Sequence, residues 1–272
     1  MKRFSTLLLV AFVLCGPAFA QARAQETEPV EPEIVREFAP TGQLRAAINF
    51  GNVVLAQRDA AGELSGVSVD LARELGRRLG VTVELVPFDA AGKVTASAGQ
   101  NVWDVAFLAV DPVRANEITF TPPYVLIEGT YLVTDKSQVR TVADVDREGA
   151  QIAVGRGSAY DLFLTREIRV ASLVRATTSA DAIQLFVDQK LDAAAGVKQP
   201  LVQFASTHPG YRVVEGRFMA IEQAMGTPRG RDKAAAYLSR FVEEMKSSGF
   251  VTDALARHKQ PDATVAPMAA GP

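Results

Sequence analysis

Four short segments of this 272-residue chain bring together residue types able to hold a small charged molecule. In Gly155-Arg156-Gly157-Ser158-Ala159, two glycines and a serine stand where a strand-like run passes into a helical one. Backbone N–H groups at a helix start attract an anion, and glycines let the backbone approach it closely. An ordinary strand-to-helix turn has the same composition and stays open as the alternative. The segment is no phosphate loop, because the Gly-Lys-Ser/Thr ending is missing. Asp111-Pro112-Val113-Arg114 follows a buried strand. Arg114 there can present its planar fork to a carboxylate at a strand's C-terminal edge, where ligands bind in open α/β sheets; a surface arginine is the plain alternative. Asn49-Phe50-Gly51-Asn52 occupies the same kind of edge, with Phe50 either stacked on a ligand or buried. Phe120-Thr121-Pro122-Pro123-Tyr124 reads as a rigid, aromatic-flanked turn in which Phe120 packs and Tyr124 can go either way.

None of this forms a catalytic set. His208, in a Thr-His-Pro-Gly turn, and His258, near the chain end, read as surface histidines. No spacing suits a metal, no nucleophile motif surrounds a serine, and no cofactor is expected. Trp103 reads as structural. A net charge of −2 with both signs interspersed leaves no electrostatic footprint for nucleic acid or an anionic membrane.

The elements that must position these residues alternate between strand and helix, the pattern of α/β construction with largely parallel sheets. Leu44 to Ile48 reads as a first strand. Leu71, Leu75 and Leu79 recur at helical spacing, and Gly80 ends that helix as a left-handed cap. Val81 to Val86 is an alternating strand, Ala90 to Gly99 a weak helix, and Val102 to Val110 a buried strand carrying Asp104. A second unit begins near Ser137. Gln151 to Val154 is its strand and Ala159 to Arg166 its helix; Ser179 caps another helix with Ala182, Leu185 and Phe186 on one side, and Leu191 to Ala195 follows as a strand. Ile221 to Thr227 and the long helix Asp232 to Gly249 then need a sheet to pack on, for which the first unit is a candidate.

At the N-terminus, Lys2 and Arg3, the apolar run Leu7 to Leu14 and Ala18-Phe19-Ala20 have the anatomy of a cleaved secretory signal, placed at residues 1–20. The apolar run is well short of the roughly 20 residues a bilayer requires. Cys15 lies within the signal and is the only cysteine, so the mature chain is expected to have neither disulfide nor thiol chemistry. Residues 21–40, rich in Glu, Pro, Gln and Ala, read as a disordered leader, and residues 259–272 as a flexible tail.

In order and spacing, these features resemble family 3 of the bacterial extracellular solute-binding proteins, the polar amino-acid-binding group of ABC importers. The likeness runs from about Gly42 to His258. It is carried by Gly42-Gln43-Leu44-Arg45, Leu64-Ser65-Gly66-Val67-Ser68-Val69-Asp70-Leu71-Ala72 with Leu79-Gly80-Val81, and Trp103-Asp104-Val105 with Arg114. Phe120 to Tyr124, Asp144 to Gly149, Val154 to Ser158 and Leu191-Asp192-Ala193 complete it. The resemblance implies a two-lobed, type II periplasmic-binding-protein-like α/β fold, each lobe a mostly parallel sheet flanked by helices, with two hinge crossovers. Lobe one would comprise residues 41–132 plus 222–258, and lobe two residues 133–221. Such a chain is expected in the periplasm, as a monomer, handing a small-molecule carboxylate ligand to an inner-membrane ABC permease.

Carried over position by position, the resemblance makes Arg114 the clamp on the ligand carboxylate, with Ser158 and the N–H of Ala159 as the second lobe's contribution. It adds a backbone donor near Ala109 and places Phe50 and Asn52 in the loop around the ligand side chain. The family's usual ammonium-holding aspartate, five residues past Asp192, is here Val197 followed by Lys198, and its frequent first-lobe aspartate is Asn49. A buried ammonium without a carboxylate partner is costly. Arg156 and Lys198 add positive charge instead, with Glu128 the one acid placed to serve a cation. The implied guest carries a carboxylate and no obligatory ammonium: a small organic acid or an atypical amino acid. Two alternatives accompany this reading. One is a lyase like the cyclohexadienyl dehydratases, using Asp161 or Glu128 as the acid; the other is an accessory or sensor binding protein for a periplasmic partner.

Overall fold

The computed structural model describes residues 29–270. The signal at 1–20 and the first part of the leader lie outside the described residues. The remainder of the leader is not structureless. Pro32–Phe38 is a helix, α1, with proline in its first turn, where a missing N–H costs nothing. Ile34 and Phe38, four residues apart, are buried on one face.

The first lobe then runs through β1 (Gln43–Asn49), the short hairpin β2 (Gln57–Arg58) and β3 (Leu64–Ser65), α2 (Val67–Leu79), β4 (Thr82–Phe88), α3 (Ala91–Ala96) and β5 (Val105–Ala109). Strand β1 pairs in parallel with both β4 and β5. Pro87 is tolerated in β4 because that strand is the sheet edge. Gly80 ends α2 at φ 67, the left-handed cap expected of it. Asp104, fully buried at the start of β5, is held by Arg45 (2.8 Å) and Arg231 (2.8 Å), which ties three distant parts of the chain together.

Strand β6 (Ile118–Thr134) is 17 residues long and leads out of this lobe. Thr121 to Tyr124 lie within it, so the aromatic-flanked turn expected there is extended strand; register shifts that leave extra residues on β6 opposite β11 absorb the Pro122-Pro123 pair, which lacks amide donors. The second lobe follows as β7 (Gln151–Gly155), α4 (Ala159–Glu167), β8 (Ser172–Ala176), α5 (Ser179–Gln189), β9 (Ala193–Val197), α6 (Lys198–Thr207) and β10 (Tyr211–Val213). Here β7 pairs in parallel with β8 and β9. Thr178, not Ser179, caps α5, exchanging hydrogen bonds with Asp181 in a capping box. The chain returns along β11 (Met219–Pro228), then α7 (Asp232–Ser247), α8 (Phe250–Arg257) and β12 (Thr264–Val265).

The two crossovers β6 and β11 join both half-sheets into one ten-stranded sheet in the order β4-β1-β5-β11-β6-β9-β7-β8, with β10 and β12 also on β6. Along β6 the partner changes at Gly129, which meets Met219 of β11 on one side and Val197 of β9 on the other. A Cβ there would come within 2.9 Å of the Met219 side chain and 3.1 Å of the Phe218 ring. The C-terminal stretch is likewise more ordered than its composition suggests. Strand β12 pairs with β6, Ala263 and Ala266 are buried, and the Ala266 N–H donates to the Tyr124 carbonyl at 3.1 Å.

Candidate functional site

Arg114 is positioned by its own turn. The Asp111 carboxylate accepts the Val113 N–H at 2.8 Å and the Asp111 carbonyl accepts the Ala115 N–H at 2.9 Å, closing a tight bend just past β5. The bend drives the guanidinium inward, where the residue is only 1% exposed. Its Nη1 donates to the Ala109 carbonyl at 2.8 Å and its Nη2 to the Gly157 carbonyl, across in the second lobe, at 2.9 Å. Its Nε is buried with no partner. Among the described residues no carboxylate pairs with Arg114, and Asp111 of the same turn is bound to Arg166 of α4 at 3.0 Å. Burial pulls the guanidinium down to about 10, with Asp111 pushing back, so it remains a cation at neutral pH. A guanidinium has five N–H donors. Two are used here, which leaves a buried cation with spare donors.

The second lobe meets it with a helix start. Ser158 caps α4: its Oγ accepts the Asp161 N–H at 3.0 Å and its carbonyl the Leu162 N–H at 3.1 Å. The N–H groups of Ala159 and Tyr160 are then the unpaired first-turn donors. Asp161 is committed to structure, accepting from the Gly157 N–H at 2.8 Å and from Arg175 at 2.9 Å. Gly157 has φ +67, and a Cβ on it would lie 2.7 Å from Gly92 Cα at the start of α3. Only glycine allows both the left-handed backbone and the close lobe-to-lobe approach.

Between these elements lies a cavity of about 150 Å³, smaller than the ~300–1,000 Å³ of drug-sized sites. Of the twelve site residues proposed from sequence, it is lined by Asn49, Asn52, Ala109, Arg114, Ser158, Ala159 and Val197. Ala109 offers its carbonyl to Arg114. Arg114 is the sole charged residue in the lining.

The other five residues sit elsewhere. Tyr124 is fully buried in the first-lobe core, edge-on to Phe107 and 3.3 Å from the Ser68 hydroxyl, and burial pushes its phenol well above the usual range. Glu128 and Lys198 form an ion pair at 2.9 Å, joined by Arg217 at 3.2 Å. Lys198 and Arg217 hold the Glu128 carboxyl below the usual range. Arg156 is exposed, held by its backbone to β8, and Phe50 packs half-buried beneath Arg58, 5.6 Å from its ring.

Sequence reasoning missed a larger set. Gln223 and Ile221 line the cavity from β11, and Ser179, Ala180 and Ile183 line it from α5. Pro200 and Leu201 line it from α6. A signal for Gln223 was present: residues two apart on a strand share a face, so a glutamine in phase with Ile221 marks a polar group at an inward position. The lining from α6 had no such signal, because residues 198–207 were not recognised as a helix.

Over residues 44–260 the chain matches the model of the bacterial extracellular solute-binding proteins, family 3. No protein of curated function matches the chain. Solved structures with the same fold include the solute receptor for L-cysteine of Neisseria gonorrhoeae, at 20% identity and TM-score 0.73, covering 84% of this chain and 94% of that one. A mutant of ArgBP from T. maritima aligns at 20% identity and TM-score 0.71, covering 83% and 99%. An ancestral amino-acid-binding protein, described as a precursor of cyclohexadienyl dehydratase, aligns at 20% identity and TM-score 0.69, covering 82% and 98%. At such identities the likeness establishes the type II periplasmic-binding fold.

Proposed function

The chain belongs to the bacterial extracellular solute-binding proteins, family 3, and from that premise we propose that it is the periplasmic substrate-binding component of an ABC importer. It captures a small carboxylate-bearing solute, an organic acid or an atypical amino acid, between its lobes and presents the closed form to an inner-membrane permease. In this reading residues 1–20 are a cleaved export signal and the mature protein acts as a monomer. Residues 41–132 with 222–258 form one jaw and residues 133–221 the other. The change of partner at Gly129 on β6 supports a hinge at the crossovers. Arg114, Ser158 and the N–H of Ala159 receive the carboxylate, with Asn49, Asn52 and Val197 around the rest of the guest.

The single observation that carries this is the Arg114 guanidinium, buried in a cavity without an acid and retaining an unpartnered donor. A buried cation lacking a contact counter-ion is costly, and an incoming carboxylate relieves that cost with charge-assisted hydrogen bonds. The lyase reading has less behind it, since both acids it would use, Asp161 and Glu128, are bound to protein cations away from the cavity lining. Calorimetric titration of the purified mature protein against a panel of L-amino acids and small organic acids is the test. Binding of carboxylates that disappears in Arg114→Met supports the proposal. Binding that survives in Arg114→Met, or confinement of binding to uncharged or cationic solutes, overturns it.

A further inference from the structure

The cavity's neutral polar groups narrow the guest further, on the premise that Arg114 holds a carboxylate. Gln223 sits on β11 directly opposite Ala109, whose carbonyl Arg114 grips at 2.8 Å. The glutamine is 5% exposed and lines the cavity. Asn52 lines the same cavity with its Oδ1 buried and unpartnered. Asn49 turns its own Oδ1 to the Gly51 N–H at 3.2 Å. Three carboxamides thus line the cavity that also holds Arg114. A carboxamide both donates and accepts, so it matches a hydroxyl or a carbonyl oxygen, yet it supplies no charge to balance an ammonium held beside a buried guanidinium.

The opposite wall has a different character. Ile183, Pro200 and Leu201 of the second lobe line it, and none of them offers a side-chain hydrogen bond, while the Tyr160 and Ser179 hydroxyls beside them are bonded to each other at 2.8 Å. A second charge or a long polar chain placed against this wall would lose its water without compensation. A short branched hydrocarbon would gain by burial there. The small volume, about 150 Å³, favours a short guest.

We infer that the site is built for a short aliphatic monocarboxylate bearing an oxygen at C2, a 2-oxo or 2-hydroxy acid, with Gln223 and Asn52 reading that oxygen in the place where an amino acid would carry its ammonium. Gln223 is then the residue that sets specificity, and the apolar wall selects the hydrocarbon tail.

Four compounds with one carbon skeleton test this by calorimetry on the mature protein: 3-methyl-2-oxobutanoate, 2-hydroxy-3-methylbutanoate, 3-methylbutanoate and L-valine. They differ only at C2. The oxo or hydroxy acid should bind at least ~10-fold more tightly than the plain acid and at least ~100-fold more tightly than valine, because a site made to hydrogen-bond an oxygen rejects the analogue lacking it or replacing it with charge. Gln223→Leu should level the oxo acid with the plain acid, and Gln223→Glu should move the preference toward valine. Valine or the plain acid binding as tightly as the oxygenated acids overturns the inference while leaving the carboxylate reading intact. The same holds if other carboxylates bind and all four of these fail. If no carboxylate binds at all, the underlying reading falls with it. Should either Gln223 variant fail to fold by thermal melt, the four-ligand series on the unaltered protein still decides.

Discussion

The two faces of the cleft are made of different materials. On the first-lobe side stand a full positive charge, Arg114, and three carboxamides, Asn49, Asn52 and Gln223. On the second-lobe side the positive end of α4 contributes only the partial charge of free N–H groups, and beyond it Ile183, Pro200 and Leu201 form an apolar wall. In the proposed function one jaw carries the charge recognition. The other adds a dipole and excludes water, which strengthens every polar contact inside. The two jaws touch through Arg114 to Gly157, Gly92 to Gly157 and Asp111 to Arg166.

The contrast is broken most severely at the guanidinium. Arg114→Lys keeps the charge and discards the planar fork, so a site that relies on the fork should lose about 100-fold or more in carboxylate affinity by calorimetry. An affinity within a few-fold of the parent would mean that charge alone suffices. Next comes the lobe-to-lobe contact. Gly157→Val opposes the φ of +67 and drives a side chain into α3, so ligand should bind roughly 10- to 100-fold more weakly. Small-angle scattering should then show no compaction on adding ligand.

Smaller effects sharpen the same comparison. Asp111→Asn removes the ion pair to Arg166, whose side chain is 39% exposed, so the loss should be about 0.5–1 kcal/mol, or roughly 2- to 5-fold in affinity, and should shrink in high salt. Reversing the order of these effects would shift the weight of closure from the backbone contact to the ion pair. At the weak end, Tyr124→Phe should cost about 1 kcal/mol of folding stability through the lost Ser68 contact, seen as a lowered melting temperature, while ligand affinity stays unchanged. Lys198→Ala should likewise leave affinity within about 2-fold, since its partner is Glu128 and its charge is screened at the surface.

The course of the fold was legible wherever one element buries a single face. The helical spacing of Leu71, Leu75 and Leu79, the left-handed Gly80 and the alternation of strand with helix all reappear as α2 and the two half-sheets. Segments were misread where composition and context disagree. Residues 32–38 are charged and proline-containing, yet Ile34 and Phe38 find a buried place, with Phe38 6.0 Å from Tyr237 on α7. Thr264 and Val265 have no apolar period of their own and become a strand only because β6 offers an unpaired edge.

From sequence alone came the α/β alternation, an arginine at a strand's C-terminal edge, a glycine-rich helix start and a valine at position 197. These rest on local periodicity and residue type, which act over a few positions. Tertiary structure alone decided which charges were already spent. Glu128 meets Lys198 and Arg217 across 70 and 89 residues of chain, a pairing that no local pattern announces. Tyr124 went to the core by the same route, meeting Ser68 56 residues away, and Gln223 became part of the cleft only when β11 came to lie beside β5. A side chain's partner depends on where distant strands pair, and pairing is settled by burying the whole sheet at once.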